Sequence, residues 1–172
     1  MKERILTSLL TVFVISGIQA QAPSPVPRLV VGLTIDQLRA DYIEAFSALY
    51  GERGFKRLLK EGRIYTNAEY DFINVDRSSA TASIYTGTTP YYNGIPSNRW
   101  MDRGSLRIIK SVDDQDFMGV YTSESSSAKL LRCSTLSDEL KVATQGRAEV
   151  YSIAPTREMA ILAAGHAANG AF

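Results

Sequence analysis

Apolar runs and amphipathic stretches alternate along residues 28–172. "RLVVGLTID" (28–36) is a short apolar run closing on an acid, the pattern of a parallel strand buried on both faces. "ADYIEAFSALYG" follows with Tyr42, Ile43, Phe46 and Leu49 at helical spacing and a glycine at its end. "GFKRLLKEG" places Phe55, Leu58 and Leu59 on one face, with Gly62 set to stop the helix. "RIYTNAEYDF" (63–72) is rich in β-forming residues. Ser78 to Thr86 predicts a helix despite its β-branched positions, and Pro90 and Gly94 then break the chain. "STLSDELKVATQG" predicts a helix capped by Ser134 or Thr135 and stopped by Gly146. "AEVYSIAP" reads as another strand and "REMAILAAG" as another helix. The stretch around 101–130 holds neither period and reads as an irregular insertion carrying a hairpin. Strands alternating with helices predict an α/β domain, a mainly parallel doubly wound sheet flanked by helices.

The first residues belong to a different pattern. Lys2 and Arg4 precede an apolar stretch from Ile5 to Ile18, and small residues stand at Gly17 and Ala20. That three-part layout predicts a secretory signal peptide over 1–20, cleaved after Ala20. The alternative, a retained anchor, has too short an apolar run for the roughly 20 residues of a membrane span. Residues 21–27 serve as an extended proline-bearing spacer. A periplasmic or secreted protein is expected, with residues 28–172 as the working domain. Net charge is +1, so no electrostatic hold on nucleic acid or acidic membranes is indicated. Cys133, the single cysteine, has no partner for a disulfide or a CxxC metal site and reads as a buried apolar residue.

Chemistry in a parallel α/β sheet collects at the carboxyl ends of its strands. Asp36 is predicted there, and two readings of it stand side by side: a metal ligand, or the N-cap of the following helix. Residues 76–100, "DRSSATASIYTGTTPYYNGIPSNRW", crowd hydroxyls around a predicted helix start, where unpaired N–H groups favour an alkoxide or phosphate. Ser78 and Ser79 are candidate nucleophiles in that turn, or simply its caps. "DDQD" (113–116) lacks the spaced oxygens and glycine of a calcium loop and reads as a solvated loop. Tyr91, Tyr92 and Trp100 either wall a substrate's leaving group or pack beneath the insertion. His166, the only histidine, reads as a holder of local structure.

The blocks "VVGLTIDQLRADY", "YGERGFKRLLKEGRIYTNAEYDF", "ASIYTGTTPYYNGI", "NRWMDR", "STLSDELK" and "GRAEVYSIA" stand in an order that resembles the N-terminal part of the alkaline phosphatase superfamily. The resemblance is greatest to secreted phosphate-irrepressible alkaline phosphatases and the type I phosphodiesterase/nucleotide pyrophosphatases. It implies a doubly wound hydrolase that works on phosphate esters with two zinc ions and a covalent phospho-enzyme. Asp36 matches the family's first metal-binding aspartate, and Asn98 an asparagine that hydrogen-bonds a phosphate oxygen. The family's attacking threonine falls on Arg77, and a nearby histidine falls on Thr81. Arginine has no available lone pair and stays protonated, so it cannot attack phosphorus.

The lysine and arginine that cradle phosphate monoesters fall on Thr156 and Glu158, which tilts the expected substrate toward diesters. Ser78, with Ser79 second, is then the candidate replacement nucleophile, its hydroxyl activated by a neighbouring zinc. Arg77 instead binds an anionic group of the substrate, or fills the metal's place and makes the protein a catalytically impaired scaffold. With one histidine in the chain, most zinc ligands are expected beyond residue 172, and residues 1–172 alone are expected to be inactive.

Overall fold

The computed structural model describes residues 26–172, so the expected signal peptide and most of the spacer lie outside the described residues. The chain divides into two units, Met1–Val31 and Gly32–Phe172. Of the first unit, residues 26–31 carry neither helix nor strand, and Leu29 and Val31 are exposed.

The second unit opens without the expected strand: residues 32–35 pair with no neighbour, and Leu33 stays exposed. A strand of a parallel sheet needs a partner on at least one edge, and none of the described strands pairs with this segment. Asp36 and Gln37 form a turn with Gln37 at φ 59, and helix α1 (Ala40–Ala45) follows, continued by a 3-10 turn at Ser47–Leu49. The cap residue of α1 is Arg39, so Asp36 does not serve as a helix N-cap. Helix α2 (Phe55–Glu61) ends at Gly62, whose N–H reaches the Leu58 carbonyl at 2.9 Å. Residues 63–72 form no strand, again for want of a partner.

Helix α3 (Arg77–Thr86) is the centre of the unit. It is barely amphipathic, because its inward positions are Ser78, Ser79, Thr81 and Ala82 rather than large apolar residues. Small side chains allow close approach, and α3 packs against helix α6 (Arg157–Ala164). Gly87, at φ 68, closes α3 in the left-handed conformation that glycine adopts without strain. A short helix α4 (Pro90–Asn93) follows. The expected insertion consists of two hairpins: β1 (Arg99–Asp102) pairs antiparallel with β2 (Arg107–Lys110), and β3 (Asp113–Met118) with β4 (Ser125–Ser126).

Helix α5 (Leu136–Ala143) carries the Thr135 cap that the sequence predicts, in a reciprocal box with Asp138. Strand β5 (Tyr151–Ser152) and strand β6 (Gly170–Ala171) are parallel neighbours joined through α6. This β5–α6–β6 unit is the described part of the parallel sheet. The core gathers Ala82, Ile95, Val112, Ala128, Leu131 and Leu162, with Trp100, Leu130 and Ile161 packed against it. Among the described residues no helix is long and apolar enough to cross a membrane.

Candidate functional site

The start of α3 is assembled around Asp76. Its backbone is extended (φ −127), and its Oδ1 accepts the Ser79 N–H at 3.0 Å. In return the Ser79 Oγ accepts the Asp76 N–H at 2.9 Å, completing a capping box. Asp76 Oδ2 also accepts the Asn98 N–H and the Ser97 hydroxyl, each at 2.7 Å. One carboxylate therefore ties the 97–98 segment to the helix start. Burial pushes its pKa up, but the N–H donors of Ser79 and Asn98 and the two serine hydroxyls outweigh that and hold it below the ordinary aspartate value.

Arg77 is the first residue of the helix. Its Nε donates to Asp36 Oδ2 at 3.2 Å, with both side chains about half exposed. Its two terminal nitrogens meet no acceptor within hydrogen-bond distance among the described residues. At the next residue the Ser78 N–H donates to Asn98 Oδ1 at 3.0 Å, which turns the Asn98 amide toward the same helix turn. Asn98 is exposed, and its amide nitrogen likewise has no acceptor among the described residues. Asp36 and Asn98 thus meet α3 at adjacent residues. The segment leading to Asp36 is held beside the helix further along, where the Thr34 hydroxyl lies 3.3 Å from that of Tyr85. The Tyr70 phenol is pushed up in pKa by burial and then by the Asp36 charge, so it stays protonated.

The hydroxyls of the two candidate serines face elsewhere. Ser78 is fully buried, and its Oγ lies 2.8 Å from the Oγ of Ser111, itself fully buried. Ser79 is also fully buried and donates to the Asn74 carbonyl at 3.0 Å while serving the capping box. Thr81, which the family resemblance aligns with a histidine, is buried too. Asp36 therefore meets the Arg77 guanidinium, while the Ser78 hydroxyl points into the interior.

Thr156 and Glu158 stand at the start of α6. Thr156 occupies the cap position without making a side-chain cap, and its Oγ1 is buried with no hydrogen-bond partner. Between them, Arg157 is committed to the β3–β4 hairpin: Nη1 reaches Glu124 at 2.7 Å and Ser126 at 2.9 Å, and Nη2 reaches Asp113 at 2.5 Å. Its Nε lies 3.5 Å from Glu158.

A zinc ion takes about four ligands drawn from Cys, His and carboxylates. No group of three such residues comes together among the described residues, and the Asp36 oxygen nearest α3 is shared with a guanidinium. Among the described residues, those around Asp36 do not by themselves make up a zinc site.

The remaining candidates sort as follows. Trp100, within β1, packs on the core. Tyr91 and Tyr92 stay exposed, in edge-to-face contact at 5.0 Å. The "DDQD" run is strand β3 rather than a solvated loop: Asp114 is buried and accepts the Ser127 hydroxyl at 2.6 Å, and Lys129 pairs with Asp114 and Asp116. Cys133 is half-buried, its thiol 3.4 Å from the Tyr92 carbonyl. His166 holds local structure, as read from the sequence, between Asp138 (3.1 Å from Nδ1) and the Leu131 carbonyl (3.0 Å from Nε2). The sequence reading passed over Asp76, Ser111, Tyr70 and Arg157. Only Asp76 left a signal, the D-x-x-S spacing of a capping pair.

Residues 30–160 match the family described as type I phosphodiesterase / nucleotide pyrophosphatase. The chain is 41% identical over 149 residues to alkaline phosphatase PhoV of Synechococcus elongatus, covering 85% of this chain and 27% of that protein. It is 36% identical over 171 residues to alkaline phosphatase PafA of Elizabethkingia meningoseptica, covering 95% of this chain and 31% of the relative. Crystal structures of PafA, wild type and a four-residue variant, superpose with a TM-score of 0.82 at 34% identity, over 86% of this chain and 29% of theirs. The chain thus has the alkaline phosphatase fold and spans about a quarter to a third of the length of these relatives.

Proposed function

The chain belongs to the type I phosphodiesterase/nucleotide pyrophosphatase family of the alkaline phosphatase superfamily, a family of phosphoester hydrolases, and on that premise we propose that the full-length protein is secreted and engages phosphoric esters at the start of α3. One observation carries this reading: Asp36 and Asn98 meet the first turn of α3 at adjacent residues, Arg77 and Ser78. The exposed guanidinium and the Asn98 amide supply donors for phosphate oxygens, a pairing in which arginine excels. The substrate class is a diester or another ester of low charge, because Glu158 stands where a phosphate dianion would need a cation. The net charge of +1 over these residues gives no nucleic-acid-binding signature.

The four residues replaced in the PafA variant are a threonine, an asparagine, a lysine and an arginine. The threonine precedes the asparagine there by the same separation as Arg77 precedes Asn98 here, and the lysine and arginine are spaced as Thr156 and Glu158 are. That agreement supports the assignment of Arg77 to the attacker's position. With arginine there and both serine hydroxyls turned inward, hydrolysis is impaired, and ester binding is the role left to this part of the site.

A second reading keeps hydrolysis, with Ser78 as the zinc-activated nucleophile, or Ser79 in its place; family membership is what favours it. Two zinc ions would then be held mostly by residues outside this chain, and residues 1–172 alone would turn over no ester. The two readings part in one experiment, a chromogenic phosphodiester assay of the full-length protein with zinc. Ser78→Ala and Ser79→Ala should leave any turnover unchanged, while Asn98→Ala should weaken diester binding about tenfold, or ~1.4 kcal/mol. Loss of turnover in a folded Ser78→Ala protein would restore the serine nucleophile.

A further inference from the structure

We infer that Arg77 is the resident cation of this site: its guanidinium, bonded to Asp36, supplies the positive charge for a phosphoric diester and keeps a metal ion off that carboxylate. This rests on the ester-binding reading above but adds to it that binding needs no metal at Asp36.

Three observations combine. Asp36 Oδ2 already accepts from Arg77 Nε at 3.2 Å, so the carboxylate has a cationic partner within the chain. A zinc ion on the same oxygen, at a bond of about 2.1 Å, would sit within about 5 Å of the guanidinium, two cations on one acceptor. Within the described residues, no group of three His, Cys, Asp or Glu side chains gathers to compete with the guanidinium for a cation's place. The outer edge of the guanidinium remains available. Its terminal nitrogens have no acceptor among the described residues, and the side chain is about half exposed.

With Nε anchored on Asp36 and the side chain about half exposed, the Nη pair is left to make the fork that takes two oxygens of a phosphoryl group. The neighbouring Asn98 is fixed by two bonds, its Oδ1 to the Ser78 N–H and its own N–H to Asp76. The residue it meets on the helix, Ser78, directly follows Arg77, and the Asn98 amide nitrogen has no acceptor among the described residues. A diester monoanion suits this pair of donors, whereas Asp36 leaves too little net charge for a dianion. Asp36 acts here as a positioning residue: it fixes the guanidinium and does not itself meet the ester.

The test uses the full-length protein and bis(p-nitrophenyl) phosphate, with binding read by titration calorimetry and zinc by metal analysis after dialysis. Chelator should change the wild-type affinity for the diester less than about twofold. Arg77→Ala should lower it about tenfold, and Arg77→Lys should fall between the two, keeping the charge but losing the fork. Arg77→Thr should take up zinc beyond the wild-type content, and any diester binding it retains should become chelator-sensitive. Circular dichroism of each variant separates these effects from misfolding, and Arg77→Lys keeps the test alive if a smaller residue unfolds the turn. The inference is overturned if chelator abolishes diester binding by the wild type, if the wild type binds no diester at all, or if Arg77→Thr leaves zinc content and diester affinity unchanged. Turnover plays no part in these readouts, so a failed hydrolysis assay and a failed binding assay remain distinct results.

Discussion

Ser78 and Ser111 share a hydrogen bond between two fully buried hydroxyls, joining the helix to the base of the hairpins. Removing one partner strands the other in the interior, which costs about 1–3 kcal/mol, whereas removing both costs less than the sum. Denaturant unfolding of Ser78→Ala, Ser111→Ala and the double variant should therefore show a coupling of about 1 kcal/mol. Additive losses would mean the hydroxyls are independent. Asp76 offers a second test. Its folded pKa lies below the ordinary value, so the unfolded chain binds its proton first as acid is added. Its contribution is complete above the unfolded pKa of about 3.9 and is lost as pH falls through the folded pKa. Asp76→Asn should flatten the fall in stability on the acid side of pH 4, measured by unfolding at a series of pH values. At this scale the sequence named Asp36, Arg77 and Asn98, because each sits in a recognisable block. It could not say which way a serine points, since χ1 and the partner at Ser111 are settled by packing of residues 33 positions apart.

Among the elements, the helices were the most legible. The cap at Thr135 and the glycine stop at Gly62 are local chemistry, and α3, α5 and α6 appear where local signals place them. The strands at 28–36 and 63–72 were not, because a strand is completed by a neighbour and these segments have none among the described residues. The α5–α6 junction makes a sharp prediction. Gly165, at φ 80, leaves no room for a side chain: a Cβ there would meet the Thr135 Oγ1 and the Asp138 carboxylate. Gly146 has the same φ of 80 but open space around it. Gly146→Ala should cost about 1 kcal/mol of backbone strain, and Gly165→Ala several times that in thermal or denaturant unfolding. Equal costs would show that the buried hub around Asp138 yields easily. Arg157 joins α6 to the β3–β4 hairpin through Asp113, Glu124 and Ser126. In Arg157→Ala, amide hydrogen exchange should quicken across 113–126 and stay unchanged in α3.

Taken as a whole, the chain keeps the frame of a phosphoesterase family, and in the reading proposed above it alters the residues at the reactive turn. The frame rests on a core of modest residues, with Ala82, Ile95, Val112 and Leu162 holding α3 against α6 and the hairpins. On that frame Arg77, which the family resemblance sets in the attacker's position, is paired with the carboxylate that the same resemblance gives to a metal. The most direct test is a crystal structure of the full-length protein soaked in zinc, with anomalous data collected at the zinc absorption edge. The Arg77 guanidinium should remain on Asp36, with no zinc peak at bonding distance from that carboxylate. A zinc peak on Asp36, with Arg77 swung away and a serine hydroxyl turned toward the ion, would contradict the account.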